Sequence, residues 1–274
     1  MDMRIRKIED SEAEKVFARL EKKTDFKSLR IKRLLALPDL TKKTGSPLKM
    51  FVDTICGLPR FKNFTILQVP EIVTVKTNFD LLNTPQDHPS RRGTDTYYPE
   101  EGWVLRTHTT VMWSYHLSEE VRKELETKGE AGALSYGKVY RKDEIDRSHY
   151  PAFHQIDGWY VCKKDKQLLD AEELKRVLLD IAKSIYGPDV EYEFRKDTFP
   201  FTDPSIEMSI KSDGKWINAP CFGSNIASVT PMPSLLMFIE TIWKKEPETV
   251  PCIELLTFPK AVSAGKPSPN LLPN

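Results

Sequence analysis

The chain lacks most of the marks that assign a protein at a glance. None of its 274 residues lies in an apolar run that approaches the roughly 18 residues a membrane helix needs, so no membrane partner is expected. Its cysteines, Cys56, Cys162, Cys221 and Cys252, form no Cys-x-x-Cys pair. That spacing excludes a zinc-ribbon signature and a disulfide framework, and predicts free thiols in a reducing compartment. The start, Met1-Asp2-Met3-Arg4, is charged and has no apolar segment of a secretory signal, so a cytoplasmic protein is expected. Excess charge is also absent: 41 Lys and Arg stand against 40 Asp and Glu, for a net charge of +1. A uniformly basic nucleic-acid binder is thereby excluded, although a local basic face is not. There is no G-x-x-x-x-G-K-[ST] phosphate loop, no G-x-G-x-x-G fingerprint and no G-x-S-x-G elbow.

What is present suffices for one large domain, or a domain with an arm, since 39% of the residues are hydrophobic. Residues 1–45 are rich in Lys, Arg and Glu and read as a charged helical arm over Ser11–Leu37, a solvated helix in the simplest reading. Ser11 and Glu14 have the spacing of a capping box, and Asp25 breaks the pattern into two short helices. Ser46-Pro47 then predicts a helix start, with the helix running to Gly57, and Phe64–Val69 reads as a strand stopped by Pro70.

Between residues 95 and 218 the pattern predicts strands at 103–106, 133–141, 153–162, 189–195, 207–210 and 215–217. One helix spans 170–185, with Asp170 as N-cap and Gly187-Pro188 as stop. Hairpin-like strands with few helices predict an α+β fold built on an antiparallel sheet. Beyond residue 218 the texture changes, and 11 of the 20 prolines lie between Pro200 and Pro273. A short apolar helix is expected at Leu235–Trp243, and a disordered tail from Ala261. Residues 46–218 are thus the expected core and 219–274 a divergent, partly disordered segment.

All five histidines fall between positions 88 and 154, which suggests one polar site. Three segments carry chemistry. Leu105-Arg106-Thr107-His108-Thr109-Thr110 sets an imidazole beside hydroxyls at a strand end. Gly137-Lys138-Val139-Tyr140-Arg141-Lys142-Asp143, then His149 and Phe153-His154-Gln155, reads as a strand, a charged loop and a return strand. Period-two alternation puts Val139 and Arg141 on one face, and Gln155 and Asp157 also share a face on the return strand. The planar fork of Arg141 suits a phosphate or carboxylate. Phe199-Pro200-Phe201 brings two aromatic rings to one side of an extended segment, fit for an aromatic pocket or for ordinary core packing.

In this order and spacing, these segments resemble the phenylalanyl-tRNA synthetase α subunit family. So do Pro85-Gln86-Asp87-His88-Pro89-Ser90-Arg91 and Asp95-Thr96-Tyr97-Tyr98. The resemblance covers roughly residues 46–218. It implies a class II aminoacyl-tRNA synthetase fold, an antiparallel sheet flanked by helices, and activation of phenylalanine by ATP followed by transfer to tRNA. By resemblance, Arg141 holds the α-phosphate and the substrate carboxylate, Asp143 faces adenine and His149 meets the outer phosphates, with Mg²⁺ bridging them. His108, Thr110 and Gln155 contact the amino acid, Asp157 lies near its ammonium, and Phe199 and Phe201 pack on its ring. A β subunit in a heterotetramer is the implied partner, with pairing of cores through Pro47–Gly57 and the strand ending at Pro70.

The departures are specific. Asp143 and Asp157 stand where the family has Glu, and Thr110 where it often has Ser. After Gly214-Lys215-Trp216-Ile217 the family continues to motif 3, a Gly-rich strand and helix with a Glu-Arg pair that holds the outer phosphate. Here no Gly-x-Gly-x-Glu-Arg follows, and there is no arginine after residue 218. Pro220 is expected to interrupt a central strand. Three readings follow: a working subunit with the motif 3 role supplied otherwise, a catalytically impaired paralogue that keeps an amino-acid or tRNA pocket, or an incomplete product.

Overall fold

A computed structural model of the chain describes residues 4–146, 149–162, 171–199, 202–212, 214–227 and 252–255. The expected helix at 235–243, the tail from 261, the Asp170 cap and Phe201 lie outside these residues.

The arm forms strand β1 (Ile5–Lys7) and helices α1 (Ser11–Glu21) and α2 (Phe26–Leu35). Asp10, not Ser11, caps α1, accepting from the backbone N–H groups of Glu12 and Ala13. Asp25 breaks the helical pattern by capping α2 through Ser28. The arm is not a solvated helix. Val16, Leu20, Ile31 and Leu34 are buried against Ile72, Tyr97, Leu105 and Tyr140. The charged residues in the sequence cover the outer face only.

Helix α3 (Pro47–Cys56) follows the expected pattern, with Ser46 accepting from Leu48 N–H and Pro47 in the first turn. Two short strands, β2 (Thr65–Gln68) and β3 (Ile72–Thr74), flank Pro70, and β3 pairs with β4 (Trp103–Leu105). After the short helix α4 (Val75–Asn78) and β4 come α5 (Met112–His116) and α6 (Glu119–Lys128), neither of which the pattern revealed. Strands β5 (Glu130–Tyr140) and β6 (Ala152–Cys162) form the long hairpin. Helix α7 (Ala171–Tyr186) buries Leu174, Val177, Leu178, Ile181 and Ala182. Strands β7 (Glu191–Phe199), β8 (Thr202–Ser212), β9 (Lys215–Ala227) and β10 (Cys252–Leu255) complete the sheet.

The order is β1-β2-β5-β6-β10-β9-β8-β7. Pairing is antiparallel from β5 to β7, but β1 with β2 and β2 with β5 are parallel, so the sheet is mixed. Pro220 does not end β9. Met208 pairs with Phe222 and Ile210 with Ile217. Residues 218–221 therefore stand opposite Ser209 alone, and the proline sits in a bulge where no ladder donor is needed. β10, drawn from the divergent segment, lies between β6 and β9.

The free thiols are as expected for the two cysteines whose side chains are described: Cys56 is partly buried and Cys162 buried, and burial pushes the Cys56 thiol up to about 12.

Candidate active site

The site is built where the segment after β4 crosses the β5–β6 hairpin, from its loop end inward. Gly137 pairs with Gln155 and Ser135 with Asp157. Gln155 and Asp157 therefore point to one face, as the alternation required, and both are almost wholly buried, at 2% and 1% exposed. Burial of a carboxylate and an amide demands partners. The Thr110 hydroxyl donates to Asp157 Oδ2 at 2.7 Å, and the Thr109 N–H donates to Gln155 Oε1 at 3.1 Å.

Buried Asn78, at the end of α4, holds the other side of the segment. Its Oδ1 accepts from Thr107 N–H at 3.0 Å, and its Nδ2 donates to Thr107 Oγ1 at 2.9 Å. The Asn78 carbonyl lies 3.0 Å from His108 Nε2. A carbonyl only accepts, so the proton is on Nε2 and His108 Nδ1 presents a lone pair. Burial, and then the Arg141 guanidinium, push the His108 pKa down to about 3, which keeps the ring neutral.

Arg141 follows the last residue of β5. Its Nε donates to the Thr107 carbonyl at 3.1 Å, and its guanidinium lies over the Phe153 ring, 5.2 Å from the centroid. Three buried side-chain atoms beside it have no hydrogen-bond partner: His108 Nδ1, Thr109 Oγ1 and Gln155 Nε2. One is an acceptor, one a donor and one both. Such a group is what an amino-acid head, with an ammonium and a carboxylate, would satisfy.

Not every expected residue converges here. Asp143 lies on the loop after Arg141. His149, on the same loop, binds Asp146 through both its N–H and its ring Nδ1, each at 2.7 Å. Asp197 is level with Trp159 across the sheet, and β7 runs on from there to Phe199, away from Gln155. The histidines do not make one site. His88 accepts from Ser90 N–H, His116 packs edge-on against Trp159 at 4.9 Å, and His154 Nε2 accepts from Leu40 N–H at 3.0 Å. Their sequence clustering reflects three separate structural uses. Asn78 and Arg106 were not singled out by sequence reasoning, and the flanking apolar pattern carried no signal for either.

The family described as "tRNA synthetases class II core domain (F)" matches residues 35–231. This chain belongs to that family. Its α+β fold, with a large sheet flanked by helices, is the class II synthetase core. The chain is 35% identical over 194 residues to the phenylalanine–tRNA ligase alpha subunit of Persephonella marina, covering 70% of this chain and 53% of the relative. It is 32% identical over 206 residues to the alpha subunit of Thermotoga neapolitana, 74% and 59% of the two chains. It is 40% identical over 166 residues to a chloroplastic/mitochondrial phenylalanine–tRNA ligase of Arabidopsis thaliana, 58% and 36% of the two chains. The chain spans about half the length of the alpha subunits it matches. Among the described residues, no helix of this class II core is long and apolar enough to cross a membrane.

Proposed function

We propose that this chain is a phenylalanine–tRNA ligase α-subunit-like module that activates phenylalanine with ATP and passes it to tRNA. The observation that carries the reading is the set of buried, unpartnered groups around Thr109. His108 Nδ1 accepts from the substrate ammonium, beside Asp157. Gln155 Nε2 donates to its carboxylate. Thr110 acts at one remove, by holding Asp157.

In activation, a carboxylate oxygen of phenylalanine attacks the α-phosphorus of ATP and pyrophosphate leaves. A ribose hydroxyl of the terminal nucleotide of tRNA then attacks the carbonyl carbon and AMP leaves. Both steps pass negative charge through the space between the carboxylate and the α-phosphate, and the Arg141 fork neutralises it there. Positioning and charge neutralisation suffice for phosphoryl chemistry of this kind. Asp143 and His149, on the loop after Arg141, serve adenine and the outer phosphates. The ring pocket is assigned to Phe199 and Phe201 on the strength of the resemblance alone, against the course of β7, which carries Phe199 away from Gln155.

Among the described residues, no three His, Cys, Asp or Glu side chains gather as a metal site. By resemblance, Mg²⁺ would accompany the nucleotide and neutralise phosphate charge. The partner is a β subunit in a heterotetramer, in the cytoplasm. Residues 1–45 form the arm, 46–218 the catalytic core and 219–274 a divergent end.

Phenylalanine-dependent ATP–pyrophosphate exchange, with and without a β subunit, tests this. Exchange that falls about 100-fold in Arg141→Ala supports it. Exchange indifferent to that change overturns it. The absence of any arginine after residue 218 favours a second reading, an impaired paralogue. Phenylalanine binding without exchange, under either subunit condition, selects that one.

A further inference from the structure

The first residue before the site segment is the most deeply buried cation among the described residues. Arg106 is 2% exposed. Burial works against its charge, and Glu71, ahead of Asp39, favours it. A buried arginine with no more than a structural charge to balance is costly to keep, and this one is aimed. Its Nε donates to the Lys138 carbonyl at 2.8 Å and its Nη1 to the Val69 carbonyl at 3.0 Å. Its own carbonyl accepts from Tyr140 N–H at 2.9 Å. The next residue, Thr107, supplies the carbonyl that receives Arg141 Nε.

Arg106 thus ties the site segment to β5 through both its side chain and its own carbonyl, directly before the atom that aims Arg141. Room for the guanidinium is made at Gly137, whose φ is +138°. A Cβ there would lie 2.7 Å from Arg106 Nη2 and 3.3 Å from Asp39 Oδ2. Glu71 completes the frame. Its Oε2 lies 3.3 Å from Lys138 Nζ and accepts from the Tyr140 hydroxyl at 2.5 Å. Lys138 in turn donates to the Leu35 and Leu37 carbonyls at the end of the arm, at 2.7 and 2.8 Å.

We propose that Arg106 is a positioning residue that sets the direction of the Arg141 guanidinium through the Thr107 carbonyl. The inference rests on the reading of Arg141 as the ATP-binding arginine. A lysine at 106 keeps the charge but replaces the planar fork by a point charge, which does not hold two carbonyls in the same geometry. The Thr107 carbonyl then shifts, and Arg141 loses its aim while remaining in place.

The test is a double-mutant cycle in the full chain, read as the dissociation constant of Mg-ATP by titration calorimetry. Arg141→Ala is expected to weaken binding roughly 10- to 100-fold, the span of a lost charged hydrogen bond, and Arg106→Lys by roughly 10-fold. The combined variant is expected to bind no more weakly than Arg141→Ala alone. If the two losses multiply, or if Arg106→Lys binds as the parent does, Arg106 does not act through Arg141 and the proposal is overturned while the reading of Arg141 stands. If the parent chain binds no Mg-ATP, or Arg141→Ala binds it unchanged, the underlying reading falls and the proposal with it. Arg106→Met, which fills similar volume without a buried charge, takes the place of the lysine variant should that one fail to unfold cooperatively.

Discussion

His108 and His116 are histidines that the fold keeps neutral, and this has a measurable consequence. Burial pushes each pKa from the ordinary 6.5 down to about 3. Above pH 6.5 the folded and unfolded chains both hold them neutral. Below it the unfolded chain takes up protons that the native chain refuses. Stability is therefore full above pH 6.5 and falls as pH drops towards 3, by about 1.4 kcal/mol per pH unit for each ring. Urea midpoints at pH 7 and pH 5 measure it, and His116→Phe, which keeps an edge-on ring against Trp159, is expected to remove about half of the slope due to this pair. A second prediction concerns Thr110. Thr110→Val takes away the donor to buried Asp157 without changing shape much, and is expected to cost about 1–3 kcal/mol, read by the same titration. At this scale the sequence was partly legible. Gln155 and Asp157 are two apart on a strand, so a shared face followed from the chain alone. The partnership of Arg106 with two carbonyls was not legible, because Val69 and Lys138 are 37 and 32 residues away.

Elements were legible where their periodicity is set by one face against one core. α3, α7, β5 and β6 fall within a few residues of the expected ranges for that reason. α6 was missed because its exposed positions dominate and, among its described side chains, only Val121 and Leu125 are buried. β1 was missed because three residues with one partly buried side chain carry no period; parallel pairing with β2 makes them a strand. Pro220 misled for a related reason, since a bulge is a property of two strands together. Packing between elements supplies a further prediction. Gly132 in β5 passes so close to Phe64 that an added Cβ would meet three ring atoms at 2.5 to 2.8 Å. That ring is stacked on Tyr160 at 5.7 Å and meets Phe61 edge-on at 5.1 Å, so it has nowhere to go. Gly132→Ala is expected to destabilise by about 1–3 kcal/mol, and a smaller Leu at position 64 to recover part of the loss in thermal melts.

The sheet as a whole depends on a strand from the least familiar part of the chain. β10 pairs with β6 on one side and β9 on the other, so among the described strands β9, β8 and β7 join the hairpin's sheet ladder through it. Ending the chain after Ala227 is expected to expose two strand edges at once, lowering the melting temperature and producing self-association visible by size-exclusion chromatography. A truncated chain as stable and monomeric as its parent would mean that the divergent end contributes nothing to the fold. What the sequence by itself determined was local and periodic: the break at Asp25, the helix start at Ser46, the alternation that turns Gln155 and Asp157 together, the family, and the absence of an arginine after residue 218. Only the tertiary structure decided that the other histidines have separate uses, which nitrogen of His108 carries the proton, that the charged arm is half core, and that Arg106 and Gly137 share one space. The physical reason is distance along the chain. A period or a cap is written in neighbouring residues, whereas a hydrogen bond to Asn78, 30 residues from His108, exists only after the sheet has brought the two together.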